Sequence, residues 1–297
     1  MKESFALGGT RPKSEIEDVH YDASLQNFLI DDGHEVILSD TGMPNETGAF
    51  EKDENADLWM GDYIASFKEA FDRTGYKVED VKKIVVTHKH PDHTGELRMF
   101  PNAKIYISET EADAMELEGE NIVRVRFTDG PFKNFPESQR ITDTLVMVRA
   151  EGHTNGNSIS ILRDGDIYYM FHGDVTYCDA ALYAGELSII YEDKEKARDP
   201  QQGSSVYQRE SDGLLLDPLS RRVHERRGEK DYQTLILSEI RNRRPRHAEI
   251  TAVAVPGAFF RARKEKGAGA IKTPVPVLFA GSRDSSPARH NINWCMN

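Results

Sequence analysis

The chain has 297 residues, of which 38% are hydrophobic and 30% are charged, and its formal net charge is −12 at pH 7. This composition predicts a soluble globular protein of one or two domains, and the acidic balance argues against nucleic acid as the main partner. The sequence contains no apolar run of about 18 residues that could span a membrane, and Met1–Gly9 has no apolar signal core. Cys178 and Cys295 are the only cysteines. We therefore expect a cytoplasmic protein without a disulfide framework.

The first predicted elements are a β-hairpin and a helix. Ser24–Ile30 and Glu35–Leu38 have the composition of strands, and the Asp-Asp-Gly-His segment between them is typical of a hairpin turn. Gly75 is expected to end the helix that follows. The apolar residues that recur at helical spacing in it are Ile64, Phe67, Ala70 and Phe71.

Strands dominate the middle of the chain. Ala103–Ile107 is predicted to be a strand, and Ser108–Leu117 a helix that Ser108 caps, with Glu111 three residues later. Three more strands are predicted at Leu145–Arg149, Ser158–Leu162 and Ile167–Phe171, with a turn at Asp164-Gly165 joining the last two. Strands interspersed with helices predict an α/β fold of layered sheets covered by helices.

The pattern changes near residue 198. Residues 200–297 contain 17 basic and 10 acidic residues, whereas residues 1–199 contain 21 and 40. We therefore predict a first domain at 1–198 and an atypical, irregular basic region at 199–297. That region could be an accessory domain, a poorly ordered solvated tail or the product of an altered reading frame, since Arg, Ser, Pro and Gly rise while alternating patterning disappears.

The most informative stretch is Thr-His-Lys-His-Pro-Asp-His-Thr-Gly at residues 87–95, directly behind an apolar strand. Alternate residues of a strand share a face, so His88 and His90 are expected to project together from the strand end. The proline that follows turns the chain and brings Asp92 and His93 back toward the same point. Neutral imidazoles and a carboxylate are the ligands that zinc and similar divalent metals prefer, so we predict a metal site.

Two further candidate ligands also follow predicted strands. His153 lies in the segment Glu151–Asn157, and Asp174 ends the sequence Phe-His-Gly-Asp. Neighbouring glycines allow tight turns and close backbone approach at both positions. Asp40, in the loop Asp40–Pro44, could position a ligand histidine or could cap a loop.

Together these residues resemble the metallo-β-lactamase superfamily signature, with His88-x-His90-x-Asp92-His93 followed by His153 and Asp174. The resemblance covers residues 20 to about 195 and implies an αβ/βα four-layer sandwich with two metals at the sheet edges. Within the superfamily the chain is most similar to N-acyl-homoserine lactone lactonases. The segments that carry this similarity are the Asp-Thr-Gly-Met-Pro loop at Asp40–Pro44, the Gly-Tyr-x-x-Glu-Asp turn at Gly75–Asp80, and Tyr177 three residues after Asp174.

The resemblance also implies roles for individual residues. One metal would be bound by His88, His90 and His153, and the second by Asp92 and His93. Asp174 would bridge the two. Family members have one more histidine on the second metal, and the candidates here do not have the expected setting. These candidates are His224, His247 and the end of the strand-like run Tyr232–Ser238.

The implied activity is that of a metal-dependent hydrolase in which a hydroxide between two metals opens a lactone ring, as in quorum quenching. Tyr177 would polarise the carbonyl and Asp92 would relay a proton. Zinc is the default metal, although iron, manganese and cobalt use similar ligands. The alternatives are a thioesterase, phosphodiesterase, phosphotriesterase or β-lactamase, or an impaired protein that only binds metal. A small ester or lactone is the expected partner, without nucleic acid or membrane, in a possible homodimer.

Overall fold

The computed structural model describes residues 25–47, 65–164, 167–176 and 190–198, together with the short stretches 216–218 and 249–255. Its strands are β1 (Leu25–Asp31), β2 (Val36–Ser39), β3 (Val81–Val85), β4 (Lys104–Ser108), β5 (Ile122–Val125), β6 (Ser138–Arg140), β7 (Leu145–Arg149), β8 (Ser158–Asp164), β9 (Ile167–Phe171), β10 (Leu216–Pro218) and β11 (Glu249–Val255). Its α-helices are α1 (Phe67–Asp72), α2 (Pro91–Thr94), α3 (Glu109–Ala114) and α4 (Lys194–Ala197), and 3-10 turns span Val78–Asp80, Leu97–Met99 and Gly173–Val175.

The strands form two sheets. The first has the order β11-β1-β2-β3-β4-β5, in which β2 to β5 pair in parallel. The second has the order β10-β9-β8-β7-β6, in which β6 to β9 pair antiparallel. Because β8 runs against both of its neighbours, β7 and β9 point in the same direction and end at the same edge of their sheet.

Alternation along the strands builds the layers. On β2, Leu38 packs toward the helices on the outer face of the first sheet, whereas Ile37 joins the cluster between the sheets. On β7, Met147 faces that same inner cluster and Val148 faces the outer side of the second sheet. All four side chains are fully buried. Successive side chains of a strand point to opposite faces of its sheet, so alternate apolar residues fill the space between the two sheets, which pack face to face.

Helix α1 begins at a capping box that the sequence makes possible. The hydroxyl of Ser66 accepts a hydrogen bond from the backbone N–H of Glu69, whose carboxylate accepts one from the backbone N–H of Ser66. The helix buries Phe67 and Phe71, and the Phe71 ring packs edge-on against Phe100 with 5.3 Å between ring centroids. The helix ends before Gly75, whose φ of +83° suits glycine.

Most predicted elements are confirmed. The hairpin pairs as β1 and β2, the Ser108 cap opens α3, and the strands predicted at 145–149 and 167–171 have those bounds. Ile64, predicted at the start of the first helix, lies outside the described residues.

Four strands, β5, β6, β10 and β11, were not predicted from the sequence. β5 and β6 are edge strands of four and three residues, too short to show a clear alternating pattern. β10 pairs with β9 and β11 pairs along all of β1, so both sheets include residues beyond 198. The domain boundary predicted there, and the altered reading frame, stay predictions.

The loop Asp40–Pro44 is hydrogen-bonded to the end of the histidine motif. The backbone N–H of Thr41 donates to the carbonyl of His93 at 2.8 Å, and that of Gly95 donates to the carbonyl of Gly42 at 2.8 Å. A Cβ on Gly95 would collide with the backbone of Met43 and Pro44, so only glycine permits this approach. Within the described residues, no helix has the length and apolar character needed to cross a membrane.

The aromatic contact between α1 and Phe100 gives a test of this packing. We expect Phe71→Ala to lower the free energy of unfolding by about 3–5 kcal/mol, because it leaves a cavity among buried rings. Lys68→Ala, on the exposed face of the same helix, should change it by less than about 0.5 kcal/mol. Urea unfolding of both variants measures the difference, and similar small losses would contradict the packing.

Candidate metal centre

The predicted ligands meet where strands from both sheets end. His88, His90 and His93 follow β3, His153 follows β7, and Asp174 lies in the 3-10 turn after β9. A hydrogen bond connects the two sheets at this edge: the backbone N–H of the first residue of β8 donates to the carbonyl of Thr87, which follows β3, at 2.9 Å. The edge of the sandwich therefore collects side chains that are far apart in the sequence.

Two groups of donor atoms form at this edge. Within each group, one ligand atom from every residue lies within 4.8 Å of all the others. The first group contains His88, His90, His153 and Asp174, and the second contains Asp92, His93 and Asp174. The structure thus brings together all six residues predicted from the sequence as metal ligands.

Three ring nitrogens of the first group converge on one point. His88 Nε2 lies 2.9 Å from His90 Nδ1, and His153 Nε2 lies 3.0 Å from the same atom. A tetrahedral zinc ion with bonds of about 2.0 Å holds its nitrogen ligands about 3.3 Å apart. The observed spacing is close to that value, so the three rings can hold one divalent cation after small adjustments.

Asp174 lies between the two groups. One of its carboxylate oxygens, Oδ1, is 3.2 Å from His93 Nε2, and the other, Oδ2, is 3.6 Å from His153 Nε2. His93 Nε2 is also 3.6 Å from Asp92 Oδ2. One carboxylate therefore presents one oxygen to each group, which is the arrangement that a bridging ligand needs.

Three histidines are held through the ring nitrogen that faces away from the donor groups. His93 Nδ1 is 2.8 Å from Asp40 Oδ2, and His153 Nδ1 is 2.8 Å from the carbonyl oxygen of Ile190. A carboxylate oxygen and a backbone carbonyl oxygen both accept hydrogen bonds, so each Nδ1 donates and each Nε2 points toward the donor groups. For His88 the partner of Nδ1 is the Thr87 hydroxyl at 3.0 Å.

Asp40 organises this network from the neighbouring loop. Its Oδ1 accepts from the backbone N–H of Thr87 at 2.8 Å, and its Oδ2 accepts from the Thr87 hydroxyl at 2.9 Å and faces His93. The backbone of Asp40 has φ +62°, a costly conformation for a residue other than glycine. Of the two roles considered for Asp40, positioning of a ligand histidine is the one that its contacts support.

Burial keeps the first group in the form that binds metals. It lowers the pKa of His88 well below its ordinary value, and repulsion from His93 acts in the same direction. Burial also lowers the pKa of His90 to about 4, with a further contribution from His153. Neutral imidazoles can coordinate a cation without first losing a proton.

The second group attracts positive charge. Burial opposes protonation of His93, but attraction to Asp174, Asp92 and Asp40 outweighs it and raises the pKa of the imidazole well above its ordinary value. For Asp174, attraction to His93 and other imidazoles outweighs burial and lowers the pKa of the carboxyl group. Carboxylates concentrated in a buried site are the electrostatic setting that favours a divalent cation.

One buried atom points to the same conclusion. His93 Nε2 makes no well-aligned hydrogen bond within the described residues, although carboxylate oxygens of Asp174 and Asp92 lie 3.2 and 3.6 Å away. A bound ion is one of the recognised explanations for a buried polar atom without a hydrogen bond. The donor types, their spacing and this nitrogen all fit bound divalent metal.

Other predicted residues have different outcomes. Tyr177, His224, His247 and the run Tyr232–Ser238 lie outside the described residues. His172, beside Asp174, was not predicted to be a ligand; it is buried, its Nδ1 lies 2.8 Å from the carbonyl oxygen of Gly173, and it belongs to neither donor group. The roles of Thr87 and Ile190 were not predicted either, and nothing in the sequence signals that the Ile190 carbonyl accepts a hydrogen bond from His153.

A sandwich of two sheets that brings His and Asp donor groups together at one edge is the architecture of a protein able to bind divalent metal. The chain belongs to the metallo-beta-lactamase superfamily, whose family model matches residues 26–178, about half of the chain. The predicted αβ/βα sandwich is confirmed by this membership and by the solved structures that the chain resembles.

Individual relatives are distant. An N-acyl homoserine lactonase of a Bacillus species is 26% identical over 140 residues, which cover 44% of this chain and 54% of that protein. The chain therefore spans about half the length of this relative. The crystal structure of a quorum-quenching N-acyl homoserine lactone lactonase matches with TM-score 0.50 and 19% identity, covering 66% of this chain and 78% of the other. A probable metal-dependent hydrolase from Staphylococcus aureus matches with TM-score 0.51 and 14% identity, covering 68% and 78%.

Zinc is expected to stabilise the protein through His90, whose Nδ1 faces two other imidazoles. Zinc at about 100 times its Kd should add about 2.7 kcal/mol to the free energy of unfolding. His90→Ala should remove most of that increment, whereas His34→Ala, at an exposed hairpin position, should leave it unchanged. Thermal unfolding with and without zinc gives the comparison, and an equal zinc response in all three proteins would contradict the assignment.

Asp40→Asn tests the second donor group. The amide preserves the size of the side chain but removes one of its carboxylate oxygens, so His93 is expected to lose its fixed orientation. We expect zinc affinity at one of the two sites to fall about 10–100-fold. Chelator competition measures this, with Asp72→Asn, at an exposed position of helix α1, as the control. Equal affinities in the two variants would show that Asp40 does not position the ligand.

Proposed function

We propose that this chain is a two-metal hydrolase that opens the ring of an N-acyl homoserine lactone, with zinc as the default metal. The single observation that carries the proposal is the pair of donor groups that share Asp174 at the edge of the sandwich. Two cations a few ångströms apart are typical of centres that hydrolyse esters and phosphoesters.

The proposed ligands follow the two groups. His88, His90 and His153 would hold one ion, and Asp92 and His93 the other, with one oxygen of Asp174 for each. Bound divalent cations supply Lewis acidity and make water a nucleophile near neutral pH. The protein holds the ligand nitrogens in place through the contacts of Asp40, Thr87 and the Ile190 carbonyl.

Asp92 is the residue that we assign to proton transfer. Its side chain is 20% exposed, so a substrate can reach it, whereas the side chain of His93 beside it is only 8% exposed. In the proposed reaction, water adds to the lactone carbonyl carbon and the bond from that carbon to the ring oxygen breaks. Asp92 receives one proton from the water and delivers it to the ring oxygen, which leaves a hydroxy acid.

Tyr177 is proposed to donate a hydrogen bond from its hydroxyl group to the lactone carbonyl oxygen. It stands three residues after Asp174 in the sequence, outside the described residues. The similarity to N-acyl homoserine lactonases supports a lactone as the substrate. The loop Asp40–Pro44 carries part of this similarity, and its backbone is hydrogen-bonded to that of His93.

Parallel rate measurements test the substrate. We expect turnover of N-acyl homoserine lactones to exceed turnover of S-lactoylglutathione, paraoxon and a cephalosporin, each assayed with the zinc-loaded full chain. Removal of metal by a chelator should abolish turnover, and zinc should restore it. Asp92→Asn should lower kcat by about 100-fold or more, the size of effect typical for loss of a general acid–base group. His34→Ala is the matched control.

The possible results separate the alternatives. A faster rate on the thioester, phosphotriester or lactam would mean that the same centre catalyses hydrolysis of that substrate class instead. Metal binding without turnover of any substrate would indicate a protein that only binds metal. Lactone turnover that persists in metal-free protein would contradict the proposed chemistry.

A further inference from the structure

A buried carboxylate that belongs to neither donor group connects the loops that carry them. Glu111 lies in the first turn of α3 and is fully buried. Its Oε2 accepts a hydrogen bond from the backbone N–H of Lys89 at 2.8 Å, and its Oε1 accepts one from the backbone N–H of Gly156 at 2.6 Å. Each carboxylate oxygen therefore binds a different loop.

The two loops are those that supply the three converging imidazoles. Lys89 stands between His88 and His90, and Gly156 stands three residues after His153. The first loop leaves the sheet that contains β3, and the second leaves the sheet that contains β7. The Glu111 side chain thus connects a loop of the first sheet to a loop of the second, and both loops carry ligands of the first donor group.

Close packing fixes this connection. The Ser108 hydroxyl, which caps α3, donates to the carbonyl of Gly156 at 2.7 Å and also accepts from the backbone N–H of Glu111. A Cβ on Gly156 would lie 2.5 Å from the Ser108 Oγ and 2.7 Å from Glu111 Oε1. The absence of a side chain at Gly156 is what lets the loop come this close to the carboxylate.

We propose that Glu111 is a positioning residue that sets the separation of the two loops and so the convergence of His88, His90 and His153 on one metal ion. This inference rests on the metal centre of the proposed function. A carboxylate suits the task because both of its oxygens accept hydrogen bonds and both of its partners are N–H donors. Charge-assisted bonds of this kind are shorter and stronger than neutral ones.

Glu111→Gln is the sharpest variant. The glutamine has the same size, but its NH2 group must face one of the two backbone donors, so one loop is released. We expect the affinity of the full chain for one zinc ion to fall at least 10-fold, as for other residues that orient ligands. The visible absorption of the cobalt-loaded protein should also change, because it reports the geometry of the ligands.

Glu109→Gln is the matched control. Glu109 lies two residues before Glu111 in the same helix. Its side chain is partly exposed and pairs with Arg126. Its zinc affinity and cobalt spectrum should match those of the wild type. Unchanged zinc affinity and an unchanged spectrum in Glu111→Gln would overturn the proposal, even with a lower Tm, because the residue would then contribute only to stability.

A second variant covers loss of folding. If Glu111→Gln does not fold, Glu111→Asp keeps the charge and shortens the side chain by one methylene, and wild-type zinc affinity in it would equally overturn the proposal. The outcome is separable from that of the proposed function. Wild-type protein that binds zinc without opening lactones would refute the activity and leave the Glu111 test intact, whereas wild-type protein that binds no zinc would refute both.

Discussion

Electron-pair donors that repel one another are held together at one edge of this molecule, and most of the local structure serves to hold them there. Three imidazole nitrogens lie 2.9–3.0 Å apart along the path His88–His90–His153, and the partly buried carboxylate of Asp174 faces His153 and His93. A single proton between two rings cannot satisfy three nitrogens. A cation can, and the burial that lowers the pKa of His88 and of His90 favours the neutral imidazoles that bind one.

The sandwich meets this requirement by ending strands of both sheets at the same edge. β7 and β9 point in the same direction because β8 runs between them, and this places His153 and Asp174 side by side. The first sheet contributes the histidine motif through β3. Contacts that cross the sheets, from Glu111 and from the start of β8, then fix the distance between the two halves of the centre. In the proposed function the choice of substrate is left to other loops, because the donor groups themselves do not specify a substrate.

The sequence predicted the local parts of this arrangement well. His88, His90, Asp92 and His93 lie within six residues behind an apolar strand, so strand periodicity and one proline were sufficient to place them together. The convergence of His153 and Asp174 came from the family resemblance, because no local rule joins residues so distant along the chain. The contacts of Glu111 and Ile190 were missed since they link positions 22 to 45 residues apart through backbone groups, which carry no sequence signal. The strand β11 was missed because the basic composition around it hides a short run of β-branched residues.

Anomalous diffraction at the zinc edge from crystals of the zinc-loaded protein is the most direct test of the assignment of two metal sites. We expect two peaks. One should lie about 2.0–2.1 Å from His88 Nε2, His90 Nδ1 and His153 Nε2, and the other at similar distance from His93 Nε2 and from a carboxylate oxygen of Asp92, with Asp174 touching both. Absence of a peak among the three converging imidazoles, or zinc bound only elsewhere on the chain, would contradict it.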